Sequence, residues 1–156
     1  MRGGIRIGNN VRINSAVWAN PIGGNTKTMF QVLPSGRVII EDYCAISNVA
    51  FTSASQIHLH RNVSIGAGCR IFDTDFHPIN PKYRFGVTRD DSKTKTAPID
   101  IGEGAFIGAG VTILKGVSIG KYCVVGAGSV VTKSIPPFEI WAGNPAKKVK
   151  DLKLED

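Results

Sequence analysis

One short run of this chain, "FDTDFHPIN" from Phe72 to Asn80, places an imidazole two and four residues after carboxylates. A neutral imidazole titrates near pH 6.5, so it can accept a proton at neutral pH and return it later. His77 is therefore the candidate general base. Its second ring nitrogen needs an acceptor to fix the tautomer, and Asp73 and Asp75 are the nearest candidates. Asp90 and Asp91 are more distant ones. A second pair, His58 and His60 in "IHLH", falls on one side of an alternating strand, away from Leu59. Two such imidazoles can share a metal, but no third ligand is evident nearby in the sequence, and no metal is expected.

A scaffold must hold these groups, and the sequence carries its rhythm. From Ile101 an aliphatic residue recurs at every sixth position: Ile101, Ile107, Ile113, Ile119, Val125 and Val131. Weaker runs precede it at Ile7 and Ile13, at Ile40 and Ile46 with Thr52 as a poor third, and at Leu59, Ile65 and Ile71. A helix would repeat near 3.6 residues and a half-buried strand at 2. A period of six describes a short strand and a turn, repeated, as in parallel β-helices. The beat residue points inward, and a smaller residue four positions later fills a second inward slot. Cys44, Cys69 and Cys123 all fall in that slot and read as buried apolar thiols. Asp75 falls in it too, where an unpaired carboxylate is costly. Glycine after the beat suits positive φ or close backbone approach.

The rhythm breaks twice. Residues 19–37 are rich in Gly, Pro and Asn and read as an irregular early coil. At His77 the beat lands on the imidazole, Pro78 follows, and residues 77–100 form a charged loop with Pro81 and Pro98. A loop this long inside a compact domain is usually functional. After Ile135 the doublet Pro136-Pro137 ends the repeat. The remaining segment, 136–156, predicts a short terminal helix starting at Pro145, a helix position where proline is tolerated.

Together the tandem sextets, the "DTDFHPI" break, the charged loop and the ending "GVSIGKYCVVGAGSVVTKSIPPFEIWAGNPAKKVK" resemble the hexapeptide-repeat acyltransferases. The likeness runs from about Val38 to Lys150 and is nearest to the maltose, galactoside and xenobiotic O-acetyltransferase branch. It implies an all-β fold, a left-handed parallel β-helix, assembled as a homotrimer with active sites between subunits. It also implies direct acetyl transfer from acetyl-CoA to a hydroxyl of a sugar or polysaccharide precursor. Relatives often carry an N-terminal helical segment, which this sequence does not display.

Carried over residue by residue, the resemblance makes His77 the base and matches Asn48 to an amide that holds the acceptor or the reacting carbonyl. Ala109, Ala127 and Thr132 match small residues along which CoA lies. Lys147 and Lys150, with Lys133 as a weaker member, match basic positions that meet its phosphates. The family often has arginine there, which forks to phosphate where lysine offers a point charge. Phe106 stands where relatives often carry tryptophan. Tyr83, Phe85 and Arg89 in the loop are the candidates for acceptor contact.

Composition agrees without choosing an acceptor. The 156 residues hold 19 Lys+Arg against 12 Asp+Glu, a net charge of +7 that suits a phosphorylated or otherwise polyanionic partner. No nucleic-acid module is recognisable, no apolar run approaches the length of a membrane span, and the start lacks a signal-peptide core. Three widely spaced cysteines fit a reducing cytosol and neither a disulfide framework nor a zinc cluster. The expectation is one cytoplasmic domain over residues 1–156. Transfer to an amine of an amino sugar is the main rival reaction. A carbonic-anhydrase-type zinc enzyme is less favoured because the spacing of the three histidines does not resemble that pattern. A non-catalytic β-helix module is disfavoured by the ejected loop and the basic tail.

Overall fold

The computed structural model describes residues 3–19, 22 and 26–154. The chain winds as a parallel β-helix whose strands stack into three sheets. The first sheet stacks Gly4–Ile7, Arg37–Ile40, Ile57–Leu59, Ile99–Ile101 and Ser118–Ile119 in that order. The third stacks Met29–Val32, Ala50–Ser53, Arg70–Phe72, Thr112–Leu114 and Val130–Val131. The second runs from Arg12–Asn14 through Ala45–Ser47, Ser64–Ile65, Phe106–Ile107 and Val124–Val125 to a terminal hairpin.

The register explains the rhythm. Ile101 lies beside Ile119, Ile107 beside Val125, and Ile113 beside Val131, so one coil in this region is three sextets. These beat residues are fully buried, and each buried aliphatic side chain contributes roughly 1.5–3 kcal/mol. Cys44, Cys69 and Cys123 are buried among them as free thiols, as their slot predicts. Burial pushes the Cys69 thiol up to about 11 and raises Cys44 and Cys123 for the same reason.

The glycine column is resolved in favour of close approach. A Cβ on Gly108 would sit 2.6 Å from the backbone nitrogen of Ala127 one coil on, and one on Gly66 equally near that of Ala109. Positive φ falls instead at Gly68, Gly110 and Gly128, two positions later in each turn.

Four expectations are corrected. The terminal segment is not a helix: strand Glu139–Gly143 continues the second sheet, and Ala146–Asp151 folds back on it antiparallel. The exposed strand edge offers hydrogen bonds that local propensity leaves out of account. Next, the early coil contains a regular strand, Met29–Val32, which pairs with Ala50–Ser53; residues 20, 21 and 23–25 of that coil lie outside the described residues. Further, the third inward residue of its coil is Phe51 and not Thr52, because one residue is lost from the sextet at the Asn48 turn. Phe51 stacks on Phe30 with ring centroids 5.0 Å apart. Finally, Asp73 and not Asp75 is the fully buried carboxylate, because the chain begins to leave the coil at that point.

Candidate functional site

The departing loop is tied at its neck. Thr74 and Thr96 form an antiparallel bridge, Asp75 N–H donates to Lys95 O at 3.1 Å, and Ala97 N–H donates to Asp73 O at 3.0 Å. Beyond the neck the loop has its own short elements. A helical turn spans Pro81–Arg84, capped by Asn80, and 3-10 turns span Gly86–Thr88 and Asp91–Lys93. The chain rejoins the first sheet at Ile99, beside Ile57.

Asp73 anchors the neck to the coil below. Its carboxylate accepts from Ser53 Oγ at 2.7 Å, from Ala54 N–H at 2.6 Å and from Ser55 N–H at 2.9 Å. Those three donors occupy it, so Asp73 holds a turn and does not face the imidazole. Asp75 is half-buried: Oδ1 meets Lys115 Nζ at 2.6 Å, while Oδ2 is buried with no hydrogen-bond partner among the described residues. Lys115 has no signal in the sequence, because its place beside Asp75 depends on where the neck turns. In the loop, Asp90 caps Ser92, and Asp91 is held bidentate by Arg89.

His77 is exposed at the end of the neck, its backbone N–H donating to Asp75 O at 2.7 Å. Among the described residues its ring makes no hydrogen bond. It lines a cavity of about 490 Å³ together with Gln31, Thr52, Thr74, Phe76 and Arg89. Of the loop candidates, Arg89 reaches this cavity. Tyr83 lines a neighbouring groove with Pro78 and Lys95, and Phe85 stands exposed outside both.

Asn48 lies at a different corner, in the turn from the second sheet to the third. It takes positive φ (49°), and its carbonyl accepts from Gly68 N–H one coil on, at 3.1 Å. It thus heads the same column of left-handed turn residues as Gly68, Gly110 and Gly128, where asparagine is among the few side chains tolerated. Its Nδ2 donates to the Thr26 carbonyl, and its Oδ1 is buried without a partner among the described residues. Ala109 and Ala127 stand in the same column of turns, one coil apart, linked by Gly128 N–H to Ala109 O at 2.8 Å. Phe106 projects from the second sheet next to that corner and is half exposed. Lys147 and Lys150 are exposed on the outermost strand of the same sheet and unpaired among the described residues. Lys148 is engaged by Glu139 and Asp151, each at 2.7 Å. Thr132 and Lys133 are exposed just past the last strand of the third sheet.

Within one chain, therefore, the sequence candidates fall on two corners. His77 and Arg89 share a cavity at the loop, whereas Asn48, Ala109 and Ala127 line the column between the second and third sheets.

The histidine pair also differs from expectation. Glu41 reaches it from the preceding coil and supplies the third potential ligand that the sequence had hidden. His77 lines the loop cavity and stands apart from this pair, so the three histidines do not gather within a chain.

Comparison with known proteins places these features. Residues 98–133 match the family model for bacterial transferase hexapeptide repeats (six repeats). A protein of Staphylococcus aureus (strain MRSA252), provisionally named an acetyltransferase, is 43% identical over 84 residues, which are 54% of this chain and 40% of that protein. The curated relatives of this kind are longer proteins, of which the chain spans between 38% and 59%. Among solved structures, a hexapeptide-repeat acetyltransferase from Vibrio cholerae O1 biovar eltor, complexed with acetyl coenzyme A, superposes with a TM-score of 0.74 at 25% identity, covering 96% of this chain and 72% of that one. A maltose O-acetyltransferase from Clostridium difficile 630 gives a TM-score of 0.61 at 28% identity, over 97% and 69%.

Proposed function

We propose that this chain, which belongs to the hexapeptide-repeat acyltransferase family, is an acetyl-CoA-dependent O-acetyltransferase acting on a hydroxyl of a sugar or polysaccharide precursor. The observation that carries the proposal is the exposed, unbonded imidazole of His77 on a cavity where the coil ejects its loop. An alcohol is a poor nucleophile until its proton is removed as it attacks the thioester carbonyl. His77 takes that proton, the alcohol oxygen bonds to the carbonyl carbon, and the tetrahedral intermediate expels the CoA thiolate. The imidazolium then returns the proton to the thiolate.

Among the described residues, Asp75 keeps a buried oxygen without a partner, which makes it the candidate to hold the second ring nitrogen. CoA lies along the Ala109 and Ala127 column beside Phe106, with Thr132 at its end. Lys147, Lys150 and Lys133, each without an ion pair among the described residues, supply cations for its phosphates. Arg89 faces the acceptor from the loop, Tyr83 flanks it from the neighbouring groove, and Phe85, outside both, is the weakest of the three candidates.

The separation of the two corners supports a homotrimer. The loop corner of one subunit, with His77, meets the turn column of the next, with Asn48. The buried Asn48 Oδ1 then has an acceptor's part to play toward a substrate or subunit donor. Among the described residues no helix is long and apolar enough to cross a membrane.

The test is a panel of sugar acceptors, hydroxyl and amino, incubated with acetyl-CoA while free thiol is followed. Hydroxyl-dependent thiol release that falls roughly 10²–10⁴-fold in His77→Ala is the expected result. Turnover restricted to amino sugars would replace the acceptor class, and parental turnover by His77→Ala would overturn the assignment of the base.

A further inference from the structure

On the outer face of the first sheet, three successive coils bring two imidazoles and two carboxylates together. Strand Ile57–Leu59 lies between Arg37–Ile40 and Ile99–Ile101, so His58 is flanked by Ile39 and Asp100, and His60 follows one pleat later beside Glu41. The sequence separates these groups by up to 59 positions, and only the stacking unites them.

The contacts are directional. Glu41 Oε1 lies 2.8 Å from His58 Nε2 and 3.5 Å from His60 Nδ1. Asp100 Oδ1, on the other side, lies 3.1 Å from His60 Nε2 and 3.6 Å from His58 Nδ1. The two rings stack with centroids 4.1 Å apart, so each turns one nitrogen toward Glu41 and the other toward Asp100. The ligand atoms on the Glu41 side all lie within 4.8 Å of one another. A tetrahedral ion with bonds of about 2.0–2.2 Å to nitrogen and oxygen needs such atoms roughly 3–3.5 Å apart. The two separations from Glu41 Oε1, 2.8 and 3.5 Å, already match that spacing closely.

We propose that Glu41, His58 and His60 form a binding site for a zinc-like divalent transition metal, with Asp100 as the carboxylate that orients both imidazoles. The ligand set, two imidazoles and one carboxylate, is the one borderline cations favour. Binding takes the place of the His58 Nε2–Glu41 Oε1 hydrogen bond, and each neutral ring keeps its single proton on the nitrogen away from the ion. Both remaining ring protons then point to Asp100, the carboxylate–histidine–metal arrangement that fixes the tautomer. Glu41, His58 and His60 keep side-chain exposures of 28%, 20% and 35%, which leaves a face open for water as the fourth ligand. Because the ion joins the coils carrying Glu41 and His60, and Asp100 belongs to the strand on which the ejected loop re-enters, binding clamps that re-entry.

This site is separate from His77, and its test does not depend on acetyl transfer. Chelator-treated protein is titrated with Zn²⁺ by calorimetry, and with Co²⁺ by visible absorption. The expected result is one ion per chain, a tetrahedral Co²⁺ spectrum, and a thermal midpoint that rises with zinc. His58→Ala, His60→Ala and Glu41→Gln each abolish the spectrum. Asp100→Asn weakens binding about 10–100-fold, as loss of an orienting carboxylate does. His77→Ala binds as the parent does. Absence of stoichiometric zinc on the parent protein overturns the proposal, whatever the variants do. Unchanged binding in Glu41→Gln also overturns it, since an exposed histidine pair alone would then explain the uptake.

Discussion

Lys115 Nζ lies 2.6 Å from Asp75 Oδ1, joining the coil above the ejected loop to the last turn before it. Both side chains are largely shielded, at 27% and 20% exposure, so the pair is not an ordinary surface contact. It fixes the direction in which the neck leaves the coil, and His77 is two residues further on. Asp75 also retains one buried oxygen with no partner among the described residues, which is tolerable only while its other oxygen is paired.

Lys115→Met should therefore leave a shielded carboxylate without compensation. The expected loss is about 1–3 kcal/mol of stability, read by urea denaturation. The double variant Lys115→Met/Asp75→Leu should recover much of it, because removing both partners removes the uncompensated charge.

Asp73→Ala should be more damaging than Asp75→Ala. It strips the acceptor from the partly buried backbone N–H groups of Ala54 and Ser55, and leaves the buried Ser53 hydroxyl with the Arg37 carbonyl as its acceptor. A loss of roughly 2–5 kcal/mol is expected from those unpaired donors, again by urea denaturation. If Asp73→Ala were as stable as the parent, the neck would not be held from below.

The three thiols should resist aqueous disulfide reagents in the native state and react together on unfolding. Burial raises all three, Cys69 to about 11, above the ordinary thiol value of 9.0. The folded form thus prefers the neutral thiol, while the unfolded form ionises from about pH 9. Stability is unaffected by this group at neutral pH and declines as pH climbs from 9 toward 11. A Cys69→Ala variant should show a shallower fall over that window, measured by the thermal midpoint against pH.

Mixed assemblies test whether the two corners meet across subunits. His77→Ala and Ala127→Trp each disable one corner, by removing the base and by filling the proposed CoA groove. Inactive homo-oligomers of the two should regain part of the activity when unfolded together and reassembled. No recovery, with mixed oligomers demonstrated by mass, would place both corners of each site on one chain.

The β-helix itself was legible because burial enforces the six-residue beat wherever coils are uninterrupted, as from Ile101 to Val131. Legibility failed where the coil departs from that spacing. Phe51 replaces Thr52 because the Asn48 turn is one residue short, and Asp73 replaces Asp75 because the neck starts earlier than the beat suggests. Glu41 was invisible as a neighbour of His60 because pairing between coils here spans 19 positions, a longer step than three sextets. The terminal strand was missed because its partner, the edge at Glu139–Gly143, is supplied only by the folded stack. Of the candidate site, the residue types and the loop were readable. The division of those residues between two corners emerged only from which sheet each one leaves.

The antiparallel return of Ala146–Asp151 also changes what the edge of the second sheet presents. A stack of parallel strands is self-templating, since its last coil offers the edge that a further copy could extend. Here the outermost strand of the second sheet runs backwards and carries Lys147, Lys148 and Lys150. On this sheet, one of the three, an incoming coil meets reversed strand polarity and exposed ammonium groups, and edge charge of this kind discourages end-to-end fibre growth.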